Sequence, residues 1–320
     1  MRAIQIHGPG KVGLAELPLP KPSVGEELVR VAVAGVCATD QRLARQGTQP
    51  GRVIGHEIGG WLADQTPVGV HPDIGCGHCR FCRLGFENRC PDRKSIGIDR
   101  DGGLAEYVVV PAQHLTPLGR LPLKEAPLLE PFACCLHAVD LLNVGPGDTG
   151  LVVGAGTMGV LAMWALQSRG LRVVVSQRSI GRRHLAAELG ADAVVAAGEF
   201  PGPQLGENPI VGIVTAPAPE ALAYALEAVA VGGRVHAFAG IPGTGLIDAN
   251  LVHYRHLSLV GSTGSRMSDY RQALDLAVTG QVDLGRLPTK MMSLEEVREA
   301  LVGSYRHGNS KVLVEVEKGG

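Results

Sequence analysis

The first third of the chain alternates apolar and polar residues over short stretches. Residues 3–6, 12–17 and 28–34 each follow the period of two expected of half-buried strands, with Pro18, Pro20 and Pro22 between them. The β pattern runs on through Trp61-Leu62-Ala63 to residues 103–110, and its one helical hint is a turn after Cys37. Near residue 124 the period changes. Residues 124–142 read as a helix and 144–148 as a turn, after which short apolar runs alternate with helical ones. Strands are expected at 150–153, 171–176, 193–196, 210–215, 234–239 and 257–260, and helices at 160–168, 182–189 and 220–231. Strands alternating with helices predict a parallel, doubly wound sheet. Two further helices, 269–279 and 294–305, and a strand at 311–316 close the chain. The expected fold is therefore α/β, with residues 1-132 and 264-320 forming a β-rich domain and 133-263 a dinucleotide-binding domain inserted between them.

Composition narrows the setting. At 320 residues, 45% of them hydrophobic, the chain is long enough for two cores. The net charge is −1 and no basic stretch is interleaved with aromatics, so nucleic acid is not an expected partner. No apolar run approaches the roughly 20 residues of a membrane helix, and the N-terminus lacks the apolar core of a signal peptide. A soluble, cytoplasmic protein is expected. Seven cysteines, four of them clustered, favour metal chemistry in a reducing compartment over a disulfide framework.

The cluster is Cys76, Cys79, Cys82 and Cys90, spaced Cys-x2-Cys-x2-Cys-x7-Cys. Four thiolates this close can surround one zinc and leave no coordination position open, which predicts a structural zinc lobe over residues 75–90; a disulfide pair or an iron–sulfur cluster are the other readings.

Gly154-Ala155-Gly156-Thr157-Met158-Gly159 follows a predicted strand and opens a predicted helix, the context that the Gly-x-Gly-x-x-Gly fingerprint requires. Gly154 would make the tight turn, Gly156 would let a pyrophosphate approach, and Gly159 would allow close helix–strand packing. The helix start at Thr157 and Met158 would supply N–H donors. Thr215, at the end of the fourth strand of this series, is a further candidate cofactor contact. An acidic residue at the end of the second strand would bind the ribose 2′-OH of NAD, but here the strand runs into Gln177-Arg178-Ser179, with Arg182 and Arg183 beyond. That favours NADP over NAD.

A second group is scattered. Cys37-Ala38-Thr39-Asp40 follows a strand, Gly55-His56-Glu57 comes shortly after, and Leu129-Glu130-Pro131 much later. A catalytic zinc takes about three protein ligands of these types and keeps one position open. Spacing alone does not unite residues so distant, and Cys37 reads equally well as a small buried hydrophobe.

Taken together and in this order, Cys-Ala-Thr-Asp at 37–40, Gly-His-Glu at 55–57, the four-cysteine lobe, Glu-Pro at 130–131 and Gly-x-Gly-x-x-Gly at 154–159 resemble the zinc-dependent medium-chain dehydrogenases, a group that includes alcohol, sorbitol and threonine dehydrogenases. Glutamate at Glu130 resembles the polyol and sugar branch. The resemblance implies a GroES-like catalytic domain joined to a Rossmann domain. It implies that Cys37 and His56 bind a catalytic zinc, with Glu57 and Glu130 completing the shell. Thr39 would pass the alcohol proton toward solvent, and Asp40 would hold His56 in one tautomer. Zinc would act as Lewis acid on a substrate hydroxyl whose carbon gives hydride to the nicotinamide. A homodimer or homotetramer is implied as well.

Three departures limit the transfer. Gln41-Arg42-Leu43 replaces the histidine or tyrosine that many relatives carry after Asp40, which leaves the proton path beyond Thr39 unassigned. The stretch from Glu57 to Cys76 is shorter than in most relatives. Where sorbitol dehydrogenases place a substrate-contacting arginine, this chain has Ser262-Thr263-Gly264-Ser265, with Arg266 just beyond. Among the remaining residues, Cys134, Cys135 and His137 read as packed side chains and Lys311 as a solvated lysine or a contact to cofactor phosphates. Asn250-Leu251-Val252-His253-Tyr254 resembles a segment of cyclitol and polyol dehydrogenases.

The sequence thus predicts an NADP-preferring, zinc-dependent secondary-alcohol dehydrogenase for a polyol, sugar or cyclitol-like substrate. The alternatives are an NAD enzyme for a simple alcohol or an amino alcohol such as threonine, and a non-catalytic NADP-binding sensor or scaffold.

Overall fold

Glu26–Gly35 is the strand that the first unit is assembled on. Its first half pairs antiparallel with Tyr107–Pro111, and its second half pairs with Glu57–Trp61 and with Lys311–Glu315. Pro67–Val70 and Leu115–Pro117 extend the sheet beyond Glu57–Trp61, and Thr289–Ser293 extends it beyond Lys311–Glu315. Val29, Val31, Ile58, Val68, Val70, Val108, Val110, Val312 and Val314 are buried together in its core. The alternation legible in the sequence is this inward set. A smaller sheet joins Lys11–Glu16, Arg2–Gly8 and Arg52–Val53. The computed structural model describes residues 1–241, 243, 247–303 and 310–316. By its internal contacts the chain divides into Met1–Ala133 with Ser265–Gly320, and Cys134–Gly264.

The second unit holds six parallel strands. In order of appearance they are Thr149–Val153, Arg172–Ser176, Ala193–Val195, Val211–Val214, Arg234–Ala237 and Ser258–Gly261, and across the sheet they run 3-2-1-4-5-6. Every residue of Thr149–Val153 is buried, as a central strand covered on both faces requires. The strand order reverses between the first and fourth strands, and the crevice outside the carboxyl ends of an open sheet at such a point is where ligands bind.

Several expectations change. The helix read over 124–142 is two elements, a 3₁₀ helix Leu123–Leu128 and an α-helix Leu129–Leu141. Pro127 has no N–H to give to an α-helical ladder, whereas Pro131 falls in the first turn, where none is needed. After Cys37 the structure has a nine-residue helix, Ala38–Gln46, rather than a lone turn. Its sequence is mostly polar, and it is tied by Gln41, which donates to the Ala300 carbonyl at 2.9 Å. Pro67–Val70 and Thr289–Ser293 are not legible as strands in the sequence: one contains proline and glycine, and the other leaves Met291 45% exposed. The helix expected over 294–305 is Val297–Val302 among the described residues, and Tyr305 lies outside them. Residues 250–254 fall in a short helix, Ala249–Tyr254, capped by Asp248 through the amides of Asn250 and Leu251.

Candidate active site

Asp40 organises the scattered group. It sits in the first turn of Ala38–Gln46 with no exposure to solvent. One of its oxygens accepts the Cys37 backbone N–H at 2.8 Å, and the other accepts the Gly55 N–H at 3.2 Å and lies 3.4 Å from His56 Nδ1. A single carboxylate therefore fixes two segments distant in sequence. Gly55 has φ +100°, and a Cβ there would meet the Leu104 backbone nitrogen at 2.8 Å, so only glycine turns the chain into His56. Glu57 opens the strand Glu57–Trp61 opposite Gly35, where a Cβ would come within 1.9 Å of Glu57 Oε2. The result is that the ligand-capable atoms of Cys37, His56 and Glu57 all lie within 4.8 Å of one another.

The electrostatics suit a cation. His56 is buried, and burial works against its protonation, but the Asp40 and Cys37 charges outweigh this and hold it well above the ordinary imidazole range. Lys311, read from sequence as solvated or turned to the cofactor, is neither. It is buried, and its Nζ donates to Glu57 Oε1 at 2.5 Å. Burial opposes its charge, and Glu57, then Cys37, raise it again. A thiol, an imidazole and a carboxylate converging here, with the imidazole Nδ1 turned to Asp40, make a donor set that fits zinc. Glu130 starts Leu129–Leu141 and is buried, but it is not in the three-residue group; its charge acts on Lys311 and on the Tyr270 hydroxyl. Thr39, two residues after Cys37, is half-buried.

The four cysteines of the lobe are free thiols whose sulfurs also lie within 4.8 Å of one another. Amides of Cys76, Cys79 and Cys82 each donate to the sulfur of another member at 3.4 Å. The His78 amide, then that of Cys79, pull Cys76 down to about 6, while burial and the neighbouring sulfurs push Cys82 up to about 12. Such a set ionises fully only around a cation, so it too fits zinc. The shortened approach to the lobe is a hairpin, Glu57–Trp61 against Pro67–Val70, followed by the two-residue ribbon of Asp73–Ile74 with Lys94–Ser95. Asp73 closes its base by accepting the Ser95 hydroxyl at 2.6 Å.

In the second unit, Gly154 has φ +106° and Gly159 packs so that a Cβ would meet the Gly154 carbonyl at 1.9 Å, whereas a Cβ on Gly156 would meet nothing within 4 Å. Two glycines serve the turn and one leaves its outer side open, the side a pyrophosphate needs. Thr157 and Met158 begin the helix Thr157–Gln167. The Thr215 hydroxyl donates to the Val153 and Gly154 carbonyls at 3.1 and 3.2 Å, which ties it to the turn itself. Gln177 Oε1 accepts the Ser179 N–H at 3.2 Å, Ser179 caps Ile180–Glu188 through the Arg182 N–H at 3.4 Å, and Arg178 is exposed. Cys135 and His137 are fully buried, and the Cys135 thiol points to the Met158 carbonyl at 3.7 Å.

Sequence reasoning misses the role of Lys311 and of Gly35. Nothing local marks either; only the sheet register brings Gly35 and the strand Lys311–Glu315 alongside Glu57.

Comparison with known proteins agrees with this architecture. The family model for the alcohol dehydrogenase GroES-like domain matches residues 23–120, and that for zinc-binding dehydrogenase matches residues 157–279. The chain is 34% identical over 281 residues to L-threonine 3-dehydrogenase of Pyrococcus horikoshii, covering 79% of this chain and 80% of that protein. It is 35% identical over 321 residues to D-altritol 5-dehydrogenase of Agrobacterium fabrum, covering 93% and 94%. Among solved structures, a zinc-binding dehydrogenase from Sinorhizobium meliloti 1021 bound to NADP superimposes with a TM-score of 0.92 at 29% identity, over 98% of this chain and 99% of that one. An alcohol dehydrogenase from Escherichia coli CFT073 complexed with NADH gives 0.91 at 26% identity, over 99% of each. The chain belongs to the zinc-type medium-chain alcohol dehydrogenases, oxidoreductases that act on CH–OH groups with zinc and NAD(P).

Proposed function

We propose that this protein is an NADP-preferring dehydrogenase that interconverts a polyhydroxylated secondary alcohol and its ketone. The convergence of Cys37, His56 and Glu57 on one point carries the catalytic part of this reading. Zinc held there supplies a Lewis acid that makes a substrate hydroxyl easier to deprotonate. Cys37 and His56 would hold it, with Glu57 as the carboxylate in this arrangement and Glu130 as the alternative. Asp40 Oδ1 lies 3.4 Å from His56 Nδ1 and would hold the proton on that side of the ring, leaving the Nε2 lone pair for the metal. Lys311 offsets the anionic charge that Cys37 and Glu57 bring into a buried space. Thr39 would relay the substrate hydroxyl proton toward solvent, giving up its own proton as it takes that one. The cofactor carries the hydride, and the protein's part is to hold it: the open outer side of Gly156 and the helix start at Thr157 for the pyrophosphate, Gln177, Arg178 and Arg182 for the ribose end.

The cofactor preference rests on the end of the second strand, where the sequence has Gln177-Arg178-Ser179 in place of a carboxylate for a 2′-OH, and the exposed Arg178 would meet a 2′-phosphate. The substrate class rests on similarity along nearly the whole chain to a D-altritol 5-dehydrogenase. Similarity to an L-threonine 3-dehydrogenase favours a second reading, an NAD enzyme for an amino alcohol. A panel of polyols, cyclitols, aldonates and L-threonine, each with NADP and NAD and read at the nicotinamide absorbance, separates the two. Turnover of a polyol or cyclitol with a higher kcat/KM for NADP supports the first reading. L-threonine with equal or better use of NAD contradicts it.

A further inference from the structure

Phe86 and Glu87, between the third and fourth cysteines of the lobe, reach a segment almost two hundred positions later. The Glu87 carboxylate accepts a hydrogen bond from the Met267 backbone N–H, the first residue of the helix Met267–Val278. Asp269, in the first turn of that helix, accepts the Arg266 N–H at 2.8 Å and is gripped by the Arg266 guanidinium. The same guanidinium lies 5.6 Å from the centre of the Phe86 ring, and that of Arg89 lies 4.7 Å from it. Two carboxylates thus stand where a helix leaves its first N–H groups unpaired and its dipole favours negative charge. One belongs to the helix; the other is brought by the lobe.

The turn so capped carries Tyr270, which is fully buried. Its ring meets His71 edge-on at 5.7 Å, and its hydroxyl lies where a Cβ on Gly69 would be only 2.4 Å away. His71 in turn bonds Ser265 through Nε2, at 3.1 Å to the carbonyl and 3.2 Å to the hydroxyl. Gly69 belongs to Pro67–Val70, which pairs with Glu57–Trp61 in the register Gly59↔Gly69 and Ile58↔Val70. The contacts are continuous from the lobe to the strand that presents Glu57.

We infer that Glu87 is a positioning residue: through it the four-cysteine lobe seats the helix Met267–Val278 and, by way of Tyr270, the strand that presents Glu57 to Cys37 and His56. The inference rests on the zinc-dehydrogenase reading for the meaning of that cluster. It gives the lobe a task beyond local stapling, and Arg266 takes part in that task through Asp269 and the Phe86 ring.

Contiguity alone does not demonstrate coupling, so the test measures both ends. The zinc-loaded full chain is compared with Glu87→Ala and Glu87→Gln by hydrogen exchange over residues 265–272 and by the rate at which a chelating dye withdraws zinc. In Glu87→Ala the amides of residues 267–270 should exchange roughly tenfold faster, the size expected for losing one charge-assisted cap. The less tightly held zinc should leave faster by a similar factor, while the four-thiolate zinc is kept. Glu87→Gln, which retains a neutral acceptor, should fall between, and it serves alone if the alanine variant does not fold. Unchanged exchange at 267–270 overturns the capping role. Faster exchange with unchanged zinc release overturns the link to the cluster. A wild-type chain that binds only the lobe zinc refutes the catalytic-metal reading instead, and the exchange result still stands on its own.

Discussion

Lys311 shows how much one residue's meaning depends on its neighbours. In sequence it is a lysine at the mouth of a strand; in the fold it is a buried cation 2.5 Å from a buried carboxylate. Such a pair adds little net stability, but removing one member leaves the other charge uncompensated. Lys311→Met should therefore destabilise the protein by about 3–5 kcal/mol, read as a fall in denaturation midpoint. Lys311→Arg, which keeps the charge, should recover most of the loss. A methionine variant as stable as wild type would mean that Glu57 is neutral or is paired by other means. The motif residues 37–40 and 55–57 are legible in the sequence because each carries its own short context. Lys311 and Gly35 are not, because their roles arise only from register across the sheet.

At the scale of elements, the glycine turn separates residues that serve the fold from one that serves the ligand. An added methyl on Gly159 collides with the Gly154 carbonyl, and one on Gly156 meets nothing. Gly159→Ala should cost stability, on the order of 1–3 kcal/mol, and weaken cofactor binding only as a consequence. Gly156→Val should leave thermal stability near wild type and raise the dissociation constant for NADPH by an order of magnitude or more. Fluorescence titration with NADPH alongside thermal melts distinguishes them; Gly156→Val binding NADPH normally would place the pyrophosphate elsewhere. The alternation of apolar runs and helices makes this sheet readable from the sequence, since buried parallel strands are continuous apolar runs. Elements without such a signature escape that reading. Thr289–Ser293 is mostly exposed, and Ala38–Gln46 is mostly polar, held by Asp40 and by contacts from the far end of the chain.

At the scale of the whole molecule, buried histidines withdraw stability on the acid side. His114 is pushed down to about 4 by burial and by the stacked ring of His71, 5.7 Å away, and in the second unit burial pushes His236 down to about 4. Above the ordinary value of about 6.5 both states are neutral at these positions and no stability depends on them. As the pH falls from there toward 4, the unfolded chain takes up protons that the folded chain refuses, and each group withdraws about 3 kcal/mol of stability. His114→Gln should flatten the decline in denaturation midpoint between pH 6.5 and 4, and a variant with an unaltered slope would mean that His114 protonates freely in the native state. The division into two units, with the last strand returning to the first sheet, is readable because the texture of the sequence changes twice. Seating of the lobe is not, since it turns on Glu87 meeting a backbone N–H far along the chain.

Two zinc sites should exist in this protein, with the chemistry at Cys37 and His56 and not in the four-cysteine lobe. Zinc analysis of the purified chain beside Cys37→Ser, with dehydrogenase activity measured on the same samples, addresses this assignment most directly. The wild type should hold about two zinc ions per chain. Cys37→Ser should hold about one, keep its fold and lose activity by several orders of magnitude. A Cys37→Ser protein that retained full activity would contradict it.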